Sequence, residues 1–394
     1  MDFEFQNPTR LIFGAGVLSR LGEVARGEGR RALLVTGGGS VKRNGVFARA
    51  VASLEEAGVA VVAFDGVEPN PRLSSVIRGA RLAQAQQCDL VIALGGGSVM
   101  DAAKVMAAVV FYDGDPWEMM VHSPTGIRLP TRALPIITVP TLAATGSEMN
   151  KGAVITNEQT VEKSFVLADC LYPRVALVDP ALTLTVPPDQ TAFGVCDLIT
   201  HVTEGYFNGV DGTPVQDRFA EGVILTAMEW GPKAVEDGQD LEARAQVQWA
   251  SVVALNGWVQ AGAGVAGFPV HMIEHTISAI HDVAHGAGLA VVNPAWMRAA
   301  ARVRPDRFAQ FARRVFGLES SDPLVCAMEG VVRFEDFLTR IGCPTRLSHL
   351  GLDGTLIERY ARETLQAIHD ETGRLPGRPA MSEAELIELL REAQ

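Results

Sequence analysis

The sequence predicts an α/β dinucleotide-binding domain over residues 1–186 followed by an all-helical domain over residues 187–394. A chain of 394 residues exceeds what one hydrophobic core usually organises. Its first half alternates short β-branched runs with helical patterns, and beyond about Val186 long helical periodicities replace the strands.

In chain order, RALLVTG (31–37), VAVVAFDGV (59–67), DLVIALGGG (89–97), LPIITVPT (134–141) and RVALVDP (174–180) read as strands. Amphipathic helices such as VFARAVASLEEAG (46–58) and LSSVIRGARLAQAQQ (73–87) separate them, the pattern of a parallel sheet covered on both faces. GAVITN (152–157) and KSFVLAD (163–169) read instead as an inserted β-hairpin. The two prolines of LTVPPDQT (184–191) mark the boundary, after which GVILTAMEWGPKAVED, LEARAQVQWASVVALNGW, PDRFAQFARRVFG and MSEAELIELLREA carry a helical period.

Composition narrows the function. The net charge of -12 is dispersed and no Lys/Arg block stands out, which disfavours a nucleic-acid partner. Five cysteines, Cys88, Cys170, Cys196, Cys326 and Cys343, form neither a CxxC pair nor a disulfide-like framework, so a reducing compartment is expected. MDFEFQNPTR is acidic and polar where a signal peptide is basic and then apolar, and no run of about 18 apolar residues exists to span a bilayer. The expectation is a cytoplasmic protein with no membrane partner.

Two glycine loops follow strands. Gly95, Gly96 and Gly97, then Ser98, lead from DLVIAL into a helix whose free backbone N–H groups suit a pyrophosphate. A bare tight turn also needs glycine, and the loop is not a GxGxxG fingerprint. The earlier loop offers Gly37, Gly38, Gly39 and Ser40, then Lys42 and Arg43. An acidic residue at such a loop binds the adenosine ribose, whereas small residues beside a cation admit a 2′-phosphate, so NADP(H) is preferred over NAD(H); a solvated basic loop is the bland alternative. TVPTLAATGSEMN (138–150) adds Thr138, Thr141, Thr145, Ser147 and Asn150, suited to a ribose or phosphate, or equally to helix capping.

Asp197 and His201, at i and i+4 in GVCDLITHVTEGYF, share a helix face about 6 Å apart at Cβ and make a two-toothed metal ligand. HMIEHTISAIHDVAHG (271–286) holds four of the eight histidines. On one continuous helix His271 and His285 would lie about 21 Å apart, so sharing an ion of about 2 Å bond length requires the chain to turn back within SAIHDVA. Asp197, His201, His271 and His285 then close a four-ligand site from three helical segments, and an ion satisfies several imidazoles set among apolar residues. His275, one turn from His271, is positioned to face substrate and relay a proton, although spacing alone also allows it to replace His271 as ligand. His281 falls in the returning loop. His122, His349 and His369 are isolated and read as structural or surface residues.

With VEPNP (67–71), GGGSVMDAAK (95–104), TVPTLAATGSE (138–148), GVCDLITHVTEGY (194–206) and the HxxxH followed by HG together, the chain resembles the iron-containing (group III) alcohol dehydrogenases, a family of the dehydroquinate-synthase-like fold. The resemblance implies that Asp197, His201, His271 and His285 hold the metal, Fe(II) first and Zn(II) as alternative, with His275 beside the nicotinamide. It also implies cofactor contacts at Asn70, Gly96, Gly97, Ser98, Asp101, Thr138, Thr141, Asn150 and Lys163. The GGGS of 37–40 is similar to that of the NADP(H)-dependent butanol dehydrogenase and aldehyde reductase subgroup, where NAD-preferring relatives carry aspartate at the first glycine. A homodimer is the family expectation. LAATGSE and AHGAGLAVVNPAWM depart from the commoner TAGTGSE and PHGxxNAILLP, which weakens any transfer of substrate preference.

The expected reaction is reversible hydride transfer between NADP(H) and a small neutral aldehyde or primary alcohol, with the cofactor between the domains and His275 supplying the proton. Residues 245 to 297 contain no Lys or Arg, so an anionic substrate lacks its usual anchors there. This counts against a dehydroquinate-synthase-like lyase. An NAD-dependent glycerol-type dehydrogenase fits the four-ligand pattern less well, and a non-catalytic metal-binding protein leaves two glycine loops unexplained.

Overall fold

Strand β2 (Arg31–Gly37) sends Leu33 and Val35 into one hydrophobic core and Ala32 and Leu34 into another, the period-2 alternation of a strand covered on both faces. It belongs to a six-stranded parallel sheet of β1 (Arg10–Phe13), β2, β3 (Ala60–Val67), β4 (Leu90–Gly95), β5 (Ile136–Pro140) and β8 (Val175–Val178), ordered β1-β8-β5-β4-β2-β3. Helices α1 (Leu21–Glu28) and α3 (Val46–Glu56) cover one face, and α4 (Leu73–Ala85) and α5 (Gly97–Val109) the other; α2 (Ser40–Arg43) is a single turn after β2. Strands β6 (Gly152–Asn157) and β7 (Glu162–Leu167) form the separate antiparallel hairpin. The structure, a computed structural model, describes residues 2–121 and 126–394; His122 lies outside them.

The chain turns from β3, on one side of β2, to β4 on the other. In such a sheet the carboxyl ends of β2 and β4 form the topological switch point where ligands bind. The pairing Thr36↔Leu94 therefore sets the loop after Gly37 beside the loop after Gly95. Residues 6–186, with 238–252, make up this α/β unit.

The second unit, residues 187–237 and 253–394 with the first few residues, is helical. Its elements are α6 (Pro188–Asn208), α7 (Pro214–Glu236), α9 (Pro269–His281), α10 (His285–Val303), α11 (Pro305–Phe316), α12 (Pro323–Arg340), α13 (Ile357–Ala367) and α14 (Glu383–Glu392). Helix α8 (Leu241–Leu255) runs through the 238–252 segment. Pro at N1 or N2 starts α6, α7, α9, α11 and α12, where its missing N–H costs nothing.

Helix α6 is buried almost throughout its last eighteen residues, yet carries Asp197, Thr200, His201, Thr203 and Glu204 among the apolar ones. A buried helix is expected to be apolar all round, so each of these polar groups needs a partner. Thr200 and Thr203 find theirs in α6 carbonyls and in Asn293 of α10, which donates to Thr200 at 3.0 Å. An aromatic stack fixes the C-terminal end of α6: Phe207 lies parallel to Phe308 at 4.0 Å and edge-on to Phe311 at 5.2 Å. Arg307 forks onto both oxygens of Asp217, a fully paired ion pair in the same region.

Candidate metal centre and nucleotide loops

Helix α9 ends at His281, Asp282 adopts a left-handed conformation with φ 55°, and α10 begins at His285. The two helices therefore meet at the turn that the histidine spacing requires. The first turn of α10 comes close to α6 and α9 because Gly286 and Gly288 lack side chains: a Cβ on Gly286 would collide with the Phe193 carbonyl of α6, and one on Gly288 would sit 2.8 Å from Cγ of Glu274 on α9.

Three imidazole nitrogens surround one carboxylate oxygen. His201 Nδ1, His271 Nε2 and His285 Nε2 lie 3.4, 3.6 and 3.7 Å from Asp197 Oδ1. Ligands held tetrahedrally at about 2.1 Å from a common ion lie about 3.4 Å apart; the ligand atoms of Asp197, His201 and His271 lie within 4.8 Å of one another, and His285 reaches the group through Asp197 Oδ1. Asp197 Oδ1, His201 Nδ1 and His271 Nε2 are buried and make no hydrogen bond. Such atoms are costly unless an ion takes them up. The residues present thus fit the metal on donor type, spacing and unsatisfied valence.

The electrostatics agree. Burial opposes ionisation of Asp197, but the surrounding histidines outweigh it and hold the carboxyl below its ordinary range. Burial pushes His201 down to about 3, so its imidazole is neutral and able to donate a lone pair. For His271 burial again pushes down, but the negative charges of Glu204 and Asp197 and the hydrogen bond to Glu204 raise it to about 9.

Two acids that sequence reasoning missed complete the arrangement. Glu204 accepts from His271 Nδ1 and from the backbone N–H of Val270 at 2.7 Å and of His271 at 3.2 Å. Glu274 accepts from His285 Nδ1. Both are fully buried. A signal was present: Glu204 stands one turn beyond His201 and Glu274 one turn beyond His271, on segments without any Lys or Arg to pair with a buried acid.

His275 is buried beside these histidines, its ring centroid 5.6 Å from that of His285 and 6.3 Å from that of His271. A second cluster, Glu274, His275 and His285, also gathers possible ligand atoms within 4.8 Å, but its His285 Nδ1 is engaged by Glu274. His281 hydrogen-bonds the Tyr360 hydroxyl at 2.6 Å. His349 accepts from the Thr345 N–H, and His369 is exposed against the Leu365 carbonyl, both apart from the centre.

In the α/β unit, packing explains much of the triple glycine: a Cβ on Gly95 would lie 2.6 Å from Val99 Cγ2, and one on Gly97 would collide with Thr145. Gly96 has room, its nearest neighbour being Leu142 at 3.7 Å. Ser98 lies in the first turn of α5, partly exposed. Thr141 N–H donates to the Gly95 carbonyl at 3.0 Å, so the 138–150 segment lies against the glycine turn.

Several residues expected to contact a cofactor are also tied to one another. Asp101 accepts from Ser147 Oγ at 2.6 Å and from Val154 N–H at 2.9 Å; Thr138 Oγ1 donates to the Glu148 carbonyl; Thr145 Oγ1 accepts from Ser147 N–H. Lys104, fully buried, donates to Ser147 Oγ, Asn150 Oδ1 and the Gly152 carbonyl at 2.8 to 3.0 Å. Lys163 donates to Asn70 Oδ1 at 3.0 Å, bringing the hairpin to the 70–71 loop. In the 37–40 loop Gly39 has φ 98° and Gly38 is open, while Lys42 is paired with Asp65 and Arg43 reaches the Gly38 carbonyl at 3.5 Å.

Residues 8–180 match the iron-containing alcohol dehydrogenase family, and residues 191–394 match the C-terminal part of the Fe-containing alcohol dehydrogenase family. NADH-dependent butanol dehydrogenase A of Clostridium acetobutylicum is 38% identical over 397 residues, covering 100% of both chains. NADPH-dependent aldehyde reductase YqhD of Escherichia coli is 38% identical, over 94% of this chain and 96% of its own. The crystal structure of NADH-dependent butanol dehydrogenase A from Thermotoga maritima superposes with a TM-score of 0.94 at 37% identity, over 100% of this chain and 98% of that one. Among the described residues, no helix is long and apolar enough to cross a membrane. From family matches across both halves and relatives along the whole length, the chain belongs to the iron-containing alcohol dehydrogenase family, whose members are NAD(P)-dependent oxidoreductases.

Proposed function

We propose that this chain transfers hydride reversibly between NADP(H) and a small neutral aldehyde or primary alcohol, using a divalent cation held by Asp197, His201, His271 and His285. The observation that carries the reading is the approach of three imidazole nitrogens to Asp197 Oδ1 at 3.4 to 3.7 Å, with buried atoms left unsatisfied. Fe(II) is preferred by family, and Zn(II) suits the same donors. When bound, the ion supplies Lewis-acid polarisation of the substrate oxygen.

The chain's own residues do the rest. His275, buried beside His285, holds the proton exchanged with the alcohol oxygen, directly or through one water. Ile273 and Ile277, buried on the same helix, help to exclude water and keep the local dielectric low. Asp197, Glu204 and Glu274 place negative charge here, and neither α6 nor residues 245 to 297 carry Lys or Arg, which favours a neutral substrate over an anionic one.

The α/β unit holds the nucleotide in this reading, its pyrophosphate at the Gly95–Ser98 turn. NADH- and NADPH-dependent enzymes both stand among the relatives, so the preference for NADP(H) rests on the 37–40 loop. That loop has no acidic side chain to hold a ribose, and Arg43 lies beside it. Gly96, Gly97, Ser98, Thr141 and Asn150 would contact the cofactor, and Asp101, Thr138 and Ser147 would shape the segment that does. A cytoplasmic homodimer completes the proposal, on the family resemblance and on five cysteines that form no disulfide.

The test is metal analysis coupled to NADPH and NADH oxidation over a panel of neutral and carboxylated aldehydes. Support is activity lost on chelation and restored by Fe(II) or Zn(II), faster with NADPH and with neutral substrates. A strong preference for NADH would overturn the cofactor part, and activity indifferent to chelation the metal part.

A further inference from the structure

The metal reading accounts for Asp197 and three histidines but not for the two other acids buried around them. Glu204 lies on α6 and Glu274 on α9, each 0% exposed. An ionised carboxylate in such a place is costly unless it is paired and hydrogen-bonded. Neither helix carries a Lys or Arg. What each acid does meet is the far side of a histidine: Glu204 meets Nδ1 of His271, and Glu274 meets Nδ1 of His285.

Geometry turns this into a function. A carboxylate accepts and does not donate, so Nδ1 of each ring carries a proton and Nε2 is the nitrogen left to offer a lone pair to an ion. Those Nε2 atoms are the ones that face Asp197 Oδ1 at 3.6 and 3.7 Å. Glu204 also accepts the first backbone N–H groups of α9, so one side chain of α6 fixes both where α9 starts and how its histidine is turned. Gly288 leaves the space that Glu274 fills.

We propose that Glu204 and Glu274 are positioning residues of the metal site, each locking one histidine in the Nδ1–H tautomer with Nε2 aimed at the ion and raising its basicity as a ligand. The inference rests on the metal reading of the preceding section. With Asp197 they bring three negative charges to a dication, which strengthens its retention.

The experiment is titration of metal-free protein with Zn²⁺ alone against a chromophoric chelator, repeated with Co²⁺ by its visible absorbance. Wild type, Glu204→Gln, Glu274→Gln, Glu274→Asp and Asp197→Asn are compared, with the unfolding midpoint of each metal-free protein. The proposal expects Glu204→Gln and Glu274→Gln to weaken Zn²⁺ binding about 10- to 100-fold, and Glu274→Asp to recover part of the loss. Glu274 lies in the interior of α9 and not at its start, so Glu274→Gln serves should Glu204→Gln fail to fold. Wild-type protein that binds Zn²⁺ tightly, loses it in Asp197→Asn, and keeps it within two-fold in Glu274→Gln and Glu204→Gln would overturn this proposal alone. Wild-type protein that binds no Zn²⁺, or Asp197→Asn that binds as well as wild type, would overturn the metal reading and this proposal with it.

Discussion

Gly288 and Glu274 share one space: a Cβ on Gly288 would lie 2.8 Å from Glu274 Cγ and 2.9 Å from its Oε1. The contact joins the first turn of α10 to the middle of α9, the two helices that carry His285 and His271. Gly288→Ala must displace the Glu274 side chain or push α10 away, and overpacking of this kind costs about 1 to 3 kcal/mol. We expect lower stability together with metal release at a lower chelator concentration, checked by denaturant unfolding and metal analysis of one preparation. A stable variant with wild-type metal retention would contradict the packing argument.

In the proposed arrangement His275 stands beside the ligands His271 and His285, ring centroids 6.3 and 5.6 Å away, and is not itself a ligand. Its replacement by alanine should leave metal content and NADPH affinity near wild type while lowering kcat by about 10²- to 10⁴-fold, the usual contribution of a positioned acid or base. Metal analysis and steady-state kinetics decide it. Loss of metal in His275→Ala would instead make His275 a ligand, the exchange with His271 that spacing alone leaves open.

On the NADP(H) reading proposed above, Arg43 is the cation that meets the 2′-phosphate, since Lys42 is paired with Asp65. Arg43→Ala should raise KM for NADPH about ten-fold and change KM for NADH less than two-fold, in line with the loss of a charged hydrogen bond. Equal effects on both cofactors would remove the basis for NADP(H) preference.

The Lys104 and Glu148 pair gives the α/β unit a pH signature. Burial raises the Glu148 carboxyl to about 7, against the opposing charge of Lys104, and burial lowers Lys104 to about 8. Between its unfolded value near 4.5 and about 7, folded Glu148 holds a proton that the unfolded chain has released, so its contribution to stability falls as pH rises through that window. Lys104 stays protonated in both states there and acts only above about pH 8, where its earlier proton loss in the folded state makes stability rise again. Glu148→Gln should flatten the decline between pH 5 and 7, an effect on the order of 3 kcal/mol. Unfolding midpoints of wild type and variant at pH 5.5 and 7.5 test it; parallel profiles would contradict it.

Much of this was legible in the sequence because the signals are local. The run RALLVTG coincides with β2, the hairpin spans 152–157 and 162–167, and PDRFAQFARRVF coincides with α11. Strand β1 was not, since RLIF is four residues long and its partner, β8, lies far along the chain at Val175–Val178. Donor type and the turn that bond lengths impose point to the proposed ligands Asp197, His201, His271 and His285, while spacing alone leaves His275 as an alternative to His271. Glu204 and Glu274 are harder to read, because an acid on a helix ordinarily faces water; their place one turn beyond a histidine on segments without Lys or Arg is a hint that the packing of α6, α9 and α10 turns into a contact. The ties among Asp101, Lys104, Ser147 and Asn150 also join residues distant in sequence, so the hydroxyl-rich segment reads only as cofactor contacts or helix caps and not as this network.

The most direct test of the central claim is anomalous diffraction from crystals of the protein loaded with Fe(II) or Zn(II). The account predicts one strong peak about 2.0 to 2.3 Å from Asp197 and from a ring nitrogen each of His201, His271 and His285. A peak coordinated instead by Glu274 and His275, or no peak among these four side chains in metal-loaded active enzyme, would contradict it.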